Sequence, residues 1–230
     1  MNENGRMVDK THEWVRPCFR NYSKVVIGDS TIRGFGRQRK AFNGMSITGF
    51  GGMEYLEFIN ILQSGFISKD RDLSKTSIRV RYQSARDEFP VIRFCRHCRT
   101  ECLENFEGLL IVVMGLNNCL KADIPPFALV NGENKQDAAQ IMNLLDSALT
   151  KMLPKANVVL APILDVEEFK WKITGNCMKI YKKFNELIRV RNHINMDVTE
   201  PKRRNLYDRG GVHLRDWESV QFWSRIFESL

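Results

Sequence analysis

The chain has 230 residues, of which 43% are hydrophobic and 27% are charged. This length and apolar content suffice for one domain with a sizeable core, and they exclude general disorder. The N-terminal residues are polar and no run of about 18 apolar residues occurs, which argues against a secretory signal and a membrane span. We therefore expect an intracellular, cytoplasmic protein.

The charge is basic and unevenly distributed. Lysine and arginine number 35 against 27 aspartate and glutamate, a formal net charge of +8. Because nucleic-acid affinity comes chiefly from neutralising backbone phosphates, the basic clusters are candidate RNA contacts. A solvated basic surface is the alternative interpretation, since neither an aromatic RNA-binding motif nor zinc-finger spacing accompanies them. The candidates are Arg37, Arg39, Lys40, Arg79, Arg81, Arg96, Arg99, Lys202, Arg203 and Arg204.

Three of the six cysteines lie close together, in FCRHCRTEC. A chain of this length with its own core does not need disulfides, so we expect reduced thiols. Cys95, Cys98 and Cys102, with His97, offer zinc ligands at short spacing. The second ligand pair that a structural zinc site ordinarily uses is missing, however, and we expect no metal.

Taken in chain order, apolar strand patterns alternate with helical patterns. Residues 1–20 are expected to be partly disordered, and residues 21–230 to form one domain, with 67–108 as a basic insertion beside the main sheet. The predicted elements are a strand at 25–29, a helix at 53–66, a strand at 109–115, a helix at 135–153, a strand at 157–164, a helix at about 170–187, a weaker strand near Arg189 to Asn195, and a helix at 215–230.

The last predicted helix carries a regular apolar stripe. Its large side chains recur every three or four residues, which predicts that they pack the helix against the sheet, although part of the stripe could serve a partner. The stripe consists of Trp217, Val220, Trp223 and Phe227.

Alternation of strands and helices predicts a parallel sheet covered by helices on both faces, with right-handed crossovers. Ligands of such sheets bind beyond the carboxyl ends of the strands. Ser30 follows the first strand, Asn117 follows the strand LLIVV, and a loop containing His213 precedes the last helix. The sequence therefore predicts that these three positions share one edge of the sheet.

Ser30 could be a helix cap or a nucleophile. A nucleophilic serine needs a base to take its proton and N–H donors for the oxyanion. Of the four histidines, His213 is the best candidate base. The Asn117 amide and the open backbone of ITGFGGME are candidate donors. Each feature alone also fits a structural role in a cap or a turn.

Taken together and in order, four segments resemble the sequence blocks of the SGNH hydrolases, also called GDSL-like esterases and lipases. The matching segments are Gly28-Asp29-Ser30, the GFGG turn with Gly51, Gly115-Leu116-Asn117, and Val212-His213-Leu214. The likeness runs from about residue 24 to residue 230. It implies a three-layer α/β/α sandwich with a mainly parallel, flavodoxin-like five-stranded sheet.

The resemblance also implies roles for these residues. Ser30 would be the nucleophile, and His213 the general base that later protonates the leaving group. The N–H groups of Ser30 and Gly51 and the side chain of Asn117 would form the oxyanion hole. The implied reaction is hydrolysis of a small acyl ester through an acyl-enzyme, with no metal or organic cofactor.

Two positions depart from the family's pattern. The family usually has an aspartate three residues before the histidine, where this chain has Gly210, and the nearest carboxylate is Asp208. The third block reads GLNN, with Asn118 at a position that is commonly acidic. Some family members use a Ser-His dyad, so an active esterase remains the first hypothesis.

The alternative hypothesis is a catalytically impaired domain that binds RNA through its basic clusters. The hydrolase-like domain of the germ-plasm protein Oskar is a precedent by resemblance, and similar domains occur in some non-LTR retrotransposons. This chain departs from the Oskar type because it retains both the serine and the histidine.

Overall fold

The computed structural model describes residues 22–32, 35, 41–42, 44–49, 53–64, 103–120, 137–164, 175–191, 207 and 213–230. The predicted N-terminal segment 1–20 and most of the predicted insertion 67–108 lie outside these residues.

A five-stranded sheet forms the centre of the molecule. Its strands are β1 (Lys24–Gly28), β2 (Ala41–Phe42), β3 (Met45–Gly49), β4 (Leu109–Val113) and β5 (Asn157–Leu160). They lie in the order β2-β3-β1-β4-β5. β3, β1, β4 and β5 are parallel, and only the two-residue edge strand β2 pairs antiparallel, with β3.

After its first residue, each of the two central strands is buried, and both contain continuous apolar runs. Val25, Val26 and Ile27 of β1 have no solvent exposure. In register, Val26 lies between Ile47 of β3 and Ile111 of β4. Strands that are covered on both faces favour such continuous β-branched runs over an alternating pattern, which explains why β1 was readable from the sequence.

Five helices accompany the sheet in the described residues. They are α1 (Tyr55–Ser64), α2 (Leu116–Leu120), α3 (Ala138–Met152), α4 (Gly175–Arg191) and α5 (Asp216–Glu228). A short 3₁₀ turn, Ser30–Ile32, follows β1. Within the described residues, no helix has the length and apolarity that crossing a membrane requires.

The helices form layers on the sheet. α3 packs against both α1 and α4, and α4 also contacts α2, whereas α5 contacts the 3₁₀ turn after β1. The connections from β3 to β4 and from β4 to β5 cross the sheet in the same direction, so right-handed crossovers place α1 and α3 on the same face. The result is the predicted α/β/α arrangement with a mainly parallel sheet.

The strand order creates a switch point beside β1. After β1 the chain continues to β3 on one side, and it then crosses back to β4 on the other side. In open parallel sheets, the crevice at such a reversal lies outside the carboxyl ends of the strands and is the usual ligand site. The ends of β1 and β4 are therefore where a functional site is expected.

Three details of the sequence prediction were wrong. The stretch from Arg189 was predicted to begin a weak strand, but α4 continues to Arg191; the rest of that stretch lies outside the described residues. Two strands that were not predicted, β2 and β3, lie on the side of β1 away from β4, and β3 includes the Ile47-Thr48-Gly49 part of the predicted turn ITGFGGME. Trp217 was predicted to pack with the apolar stripe, but 66% of it is exposed, while Trp223 and Phe227 are buried.

Two glycines permit the close contacts at the carboxyl ends of β1 and β4. A Cβ atom on Gly28 would lie 2.3 Å from the backbone oxygen of Val113. Gly115 has a φ of +114°, and a Cβ atom there would lie 2.6 Å from Ile163 and 2.9 Å from Tyr55. A side chain at either position would push apart the segments that bring the two strand ends together.

We predict that Gly115→Ala lowers the free energy of unfolding by at least about 2 kcal/mol, because it adds a steric overlap to an unfavourable φ. Gly44→Ala is the matched control, since Gly44 also has a positive φ, +76°, but open space around its Cβ position. The control should lose only about 1 kcal/mol, the cost of the backbone conformation. Urea denaturation of both variants measures the difference; equal losses would contradict the steric argument.

Candidate active site

Ser30 lies where the sequence placed it, directly beyond the carboxyl end of β1. It begins the 3₁₀ turn Ser30–Ile32, and 8% of its surface is exposed. The preceding residue, Asp29, extends the pairing of the two central strands, because its N–H donates to the Val113 carbonyl at 2.9 Å. The serine therefore directly follows the paired central strands.

The carboxyl group of Asp29 is fully buried and accepts hydrogen bonds from two directions. From the 3₁₀ turn, the N–H of Thr31 donates to Oδ1 at 2.8 Å, and the Thr31 hydroxyl donates to the same oxygen. From the turn after β4, the Asn117 side chain donates to Oδ2 at 3.4 Å, and the N–H groups of Gly115 and Leu116 also donate to the carboxyl. One side chain thus joins the ends of β1 and β4.

Burial dominates the electrostatics of Asp29. Loss of solvation raises its pKa from 3.8 to about 6, while the hydrogen bonds from Thr31, Leu116 and Gly115 act in the opposite direction. The donors favour the ionised form, but they do not fully replace the water that burial removes.

Asn117 contacts Asp29, the residue before Ser30, although it is 88 positions away in the chain. It belongs to α2, the five-residue helix that starts just after β4. Its amide nitrogen donates to the Met53 carbonyl at 3.1 Å, in addition to the longer bond to Asp29. The structure therefore brings Asn117 and the Asp29-Ser30 turn together at the switch point of the sheet.

Asn118 and Tyr55 hold the neighbouring segments in place. The Oδ1 atom of Asn118 accepts the N–H of Tyr55 at 3.1 Å, which satisfies a free donor at the start of α1. The Tyr55 hydroxyl donates to the Met114 carbonyl at 2.8 Å. Burial raises the pKa of Tyr55 above its ordinary range, so the phenol stays neutral and keeps this bond. Asn118 stands at the position that is commonly acidic in the resembling family. Its amide oxygen can accept the Tyr55 bond as a carboxylate oxygen would.

The last helix, α5, contacts the turn after β1. Trp223 of α5 is fully buried, and its indole N–H donates to the carbonyl of Thr31 at 3.3 Å. Phe227 stacks on Trp223 and makes an edge contact with Phe35. The last helix thus packs against the turn that carries Ser30.

His213 lies just before α5 and is half-buried, with its Nε2 atom shielded from solvent. The next residue, Leu214, forms an isolated antiparallel bridge with Tyr207, and the Arg215 side chain donates to the Tyr207 carbonyl at 3.1 Å. These contacts hold the backbone on the C-terminal side of the histidine.

Other predicted residues lie outside the described part of the chain. They include Gly51, Asp208, the ten basic residues proposed for RNA and the cysteine cluster with His97. In the part that is described, no group of three or more metal-ligating side chains is close enough to hold an ion.

Sequence reasoning missed the role of Asp29. It treated the residue as part of a motif, whereas the structure makes it the acceptor that both turns share. An aspartate after an apolar strand and two residues before a threonine is a recognisable turn signal. The contribution of Met53 and Tyr55 depends on contacts with residues about 60 positions away, and no local pattern indicates it.

The chain resembles known proteins in structure but not detectably in sequence. No protein-family model and no curated protein matches the sequence. Solved structures do match. An acylhydrolase, provisionally so described, from Bacteroides fragilis NCTC 9343 is 16% identical, with a TM-score of 0.52 over 94% of this chain and 89% of its own. A protein from Streptococcus pneumonia, provisionally described as a platelet activating factor, is 13% identical, with a TM-score of 0.51 over 94% and 84%.

The chain has the fold of these two proteins. The α/β fold that the four sequence blocks imply is thus confirmed. A member of the lipolytic G-D-S-L family from Veillonella parvula DSM 2008 also matches, at 12% identity and a TM-score of 0.49, over 90% of this chain and 98% of its own. In this chain, Ser30 and Asn117 lie just beyond the carboxyl ends of the two central strands.

The raised pKa of Asp29 predicts a pH-dependent stability. The folded state binds the Asp29 proton more tightly than the unfolded state, so this contribution is fully present below about pH 4 and is lost as the pH rises through about 6. Relative to Asp29→Asn, the wild type should lose about 2 kcal/mol of unfolding free energy between pH 4 and pH 7.

Urea denaturation of both proteins at the two pH values measures this loss. Asp137→Asn, which changes an exposed carboxylate at the start of α3, is the matched control and should follow the wild type. If wild type and Asp29→Asn show the same pH dependence, Asp29 is not the buried acid described above.

Proposed function

We propose that the protein is a serine hydrolase that cleaves small carboxylic esters through an acyl-serine intermediate. One observation carries the proposal: in a fold shared with an acylhydrolase, Ser30 follows the first central strand, and the Asn117 amide binds Asp29, the residue before it, and Met53. A nucleophile and an oxyanion donor thus lie at the ligand-binding edge of the sheet.

In the proposed reaction, His213 takes the proton of the Ser30 hydroxyl as the oxygen attacks the ester carbonyl. The tetrahedral intermediate collapses when His213 returns the proton to the leaving alcohol, which leaves an acyl group on Ser30. Water then attacks the acyl-enzyme with His213 again as the base, and the acid is released. This sequence uses no metal and no organic cofactor.

We assign three donors to the oxyanion: the N–H groups of Ser30 and Gly51 and the side-chain amide of Asn117. The two hydrogens of the Asn117 amide point to Met53 and Asp29, at 3.1 Å and 3.4 Å. The longer bond is the weaker one, so we propose that this hydrogen is shared between Asp29 and the oxyanion when substrate binds, while the other hydrogen stays bound to Met53.

The base needs an orienting group, and Gly210 stands where the family usually has an aspartate. We propose that Asp208 or a backbone carbonyl orients the imidazole. The bridge between Tyr207 and Leu214 supports this assignment, because these two residues immediately precede Asp208 and follow His213 in the sequence.

Fluorophosphonate labelling tests the proposal, because the probe reacts only with an activated serine. We predict that wild type is labelled and that Ser30→Ala and His213→Ala are not, although both remain folded by circular dichroism. Ser147→Ala, which changes an exposed serine on α3, is the matched control and should be labelled at the wild-type rate.

A folded wild type that takes no probe would contradict the esterase proposal. The RNA-binding hypothesis would then be the next to examine, by measuring affinity over a salt series, since phosphate contacts release counterions. Its candidate residues lie outside the described part of the chain, and the matched structures point to acyl substrates.

A further inference from the structure

The two oxygens of the Asp29 carboxylate serve two different parts of the site. Oδ1 accepts the backbone N–H and the hydroxyl of Thr31, which belong to the turn that carries Ser30. Oδ2 accepts the Asn117 amide, the donor from the end of β4. The carboxylate thus lies between the proposed nucleophile and the proposed oxyanion donor and has one oxygen for each.

We propose that Asp29 is a positioning residue that fixes the Asn117 amide relative to Ser30. This proposal rests on the proposed function, because it concerns the oxyanion donor of that reaction. Asp29 acts through its neighbours and not on the substrate, since its carboxyl is fully buried and its oxygens bind protein donors.

Only a carboxylate has this geometry. An ionised aspartate accepts on both oxygens, whereas an asparagine of the same shape accepts on one and donates from the other. In Asp29→Asn, the new NH₂ group would replace one of the two acceptor oxygens. It would then face a hydrogen-bond donor, either the Thr31 N–H and hydroxyl or the Asn117 amide. One of the two connections must therefore break, although the volume of the side chain is unchanged.

The energetic cost of this carboxylate favours a functional role. Burial raises the pKa of Asp29 to about 6, so its ionised form destabilises the fold near neutral pH. A core needs no such group, and residues that reduce stability in this way are concentrated at functional sites. The hydrogen bonds that Asp29 accepts from the turns after β1 and β4 hold these two turns at a fixed distance. This fixed distance is the functional gain that offsets the loss of stability.

A double-mutant cycle on the rate of fluorophosphonate labelling tests the proposal. The proteins are wild type, Asp29→Asn, Asn117→Ala and the double variant, each checked for folding by circular dichroism. We expect Asp29→Asn to slow labelling about tenfold in the wild-type background, because a displaced oxyanion donor loses much of its effect. In the Asn117→Ala background the same change should slow labelling less than about twofold, since the group that Asp29 positions is gone.

Equal slowing by Asp29→Asn in both backgrounds, or no slowing in either, would overturn the positioning role. If wild type labels at Ser30 and the two effects simply add, the proposed function stands and only the positioning role fails. If wild type takes no probe, the proposed function fails, and the positioning role falls with it.

Thr31 provides a second test if Asp29→Asn does not fold. Thr31→Val keeps the shape but removes the hydroxyl that binds Oδ1, whereas Thr31→Ser keeps this donor. Labelling should be several-fold slower in Thr31→Val than in Thr31→Ser, and the difference should shrink in the Asn117→Ala background. Equal rates for the two Thr31 variants would contradict the proposal.

Discussion

The site depends on a charge that is buried at the meeting point of two strands. The Asp29 carboxylate has no solvent exposure and accepts donors from the turn after β1 and from the turn after β4. A buried charge is tolerated only when its hydrogen-bonding capacity is met by the protein. The two turns must therefore keep their conformations together, and each limits the freedom of the other. Gly28 and Gly115 make this arrangement sterically possible, because a side chain at either would separate the strand ends.

The central part of the fold could be predicted from the sequence because its signals are local. β1 and β4 are continuous apolar runs, and the helix over Ala138–Met152 has a regular apolar face and a capping box formed by Asp137 and Gln140. The edge of the sheet could not be predicted in the same way. A two-residue strand such as β2 carries too little pattern to recognise, and the end of α4 was taken for a strand because Arg189 to Arg191 alternates charged and apolar residues.

In the site, too, the features with a local sequence pattern could be predicted, and the contacts between distant segments could not. Ser30 and Asn117 were found because each follows a buried strand, and parallel strands bring their carboxyl ends to one edge. The bonds from Asn117 to Met53 and from Tyr55 to Met114 join segments about 60 residues apart, and tertiary packing alone decides them. Trp217 illustrates the limit of periodicity, since it has the spacing of the buried stripe but is exposed in the first turn of α5.

The indole of Trp223 binds a carbonyl that lies 192 positions earlier in the chain. During synthesis, the strands of the sheet emerge from the ribosome well before this residue does, because β5 ends at Leu160. Until then the turn beside Ser30 lacks this contact, because its partner has not been made. Contacts between residues so far apart in the chain form slowly, since a long loop must close first. The order of translation therefore leaves this turn without its Trp223 contact even after all five strands have been made.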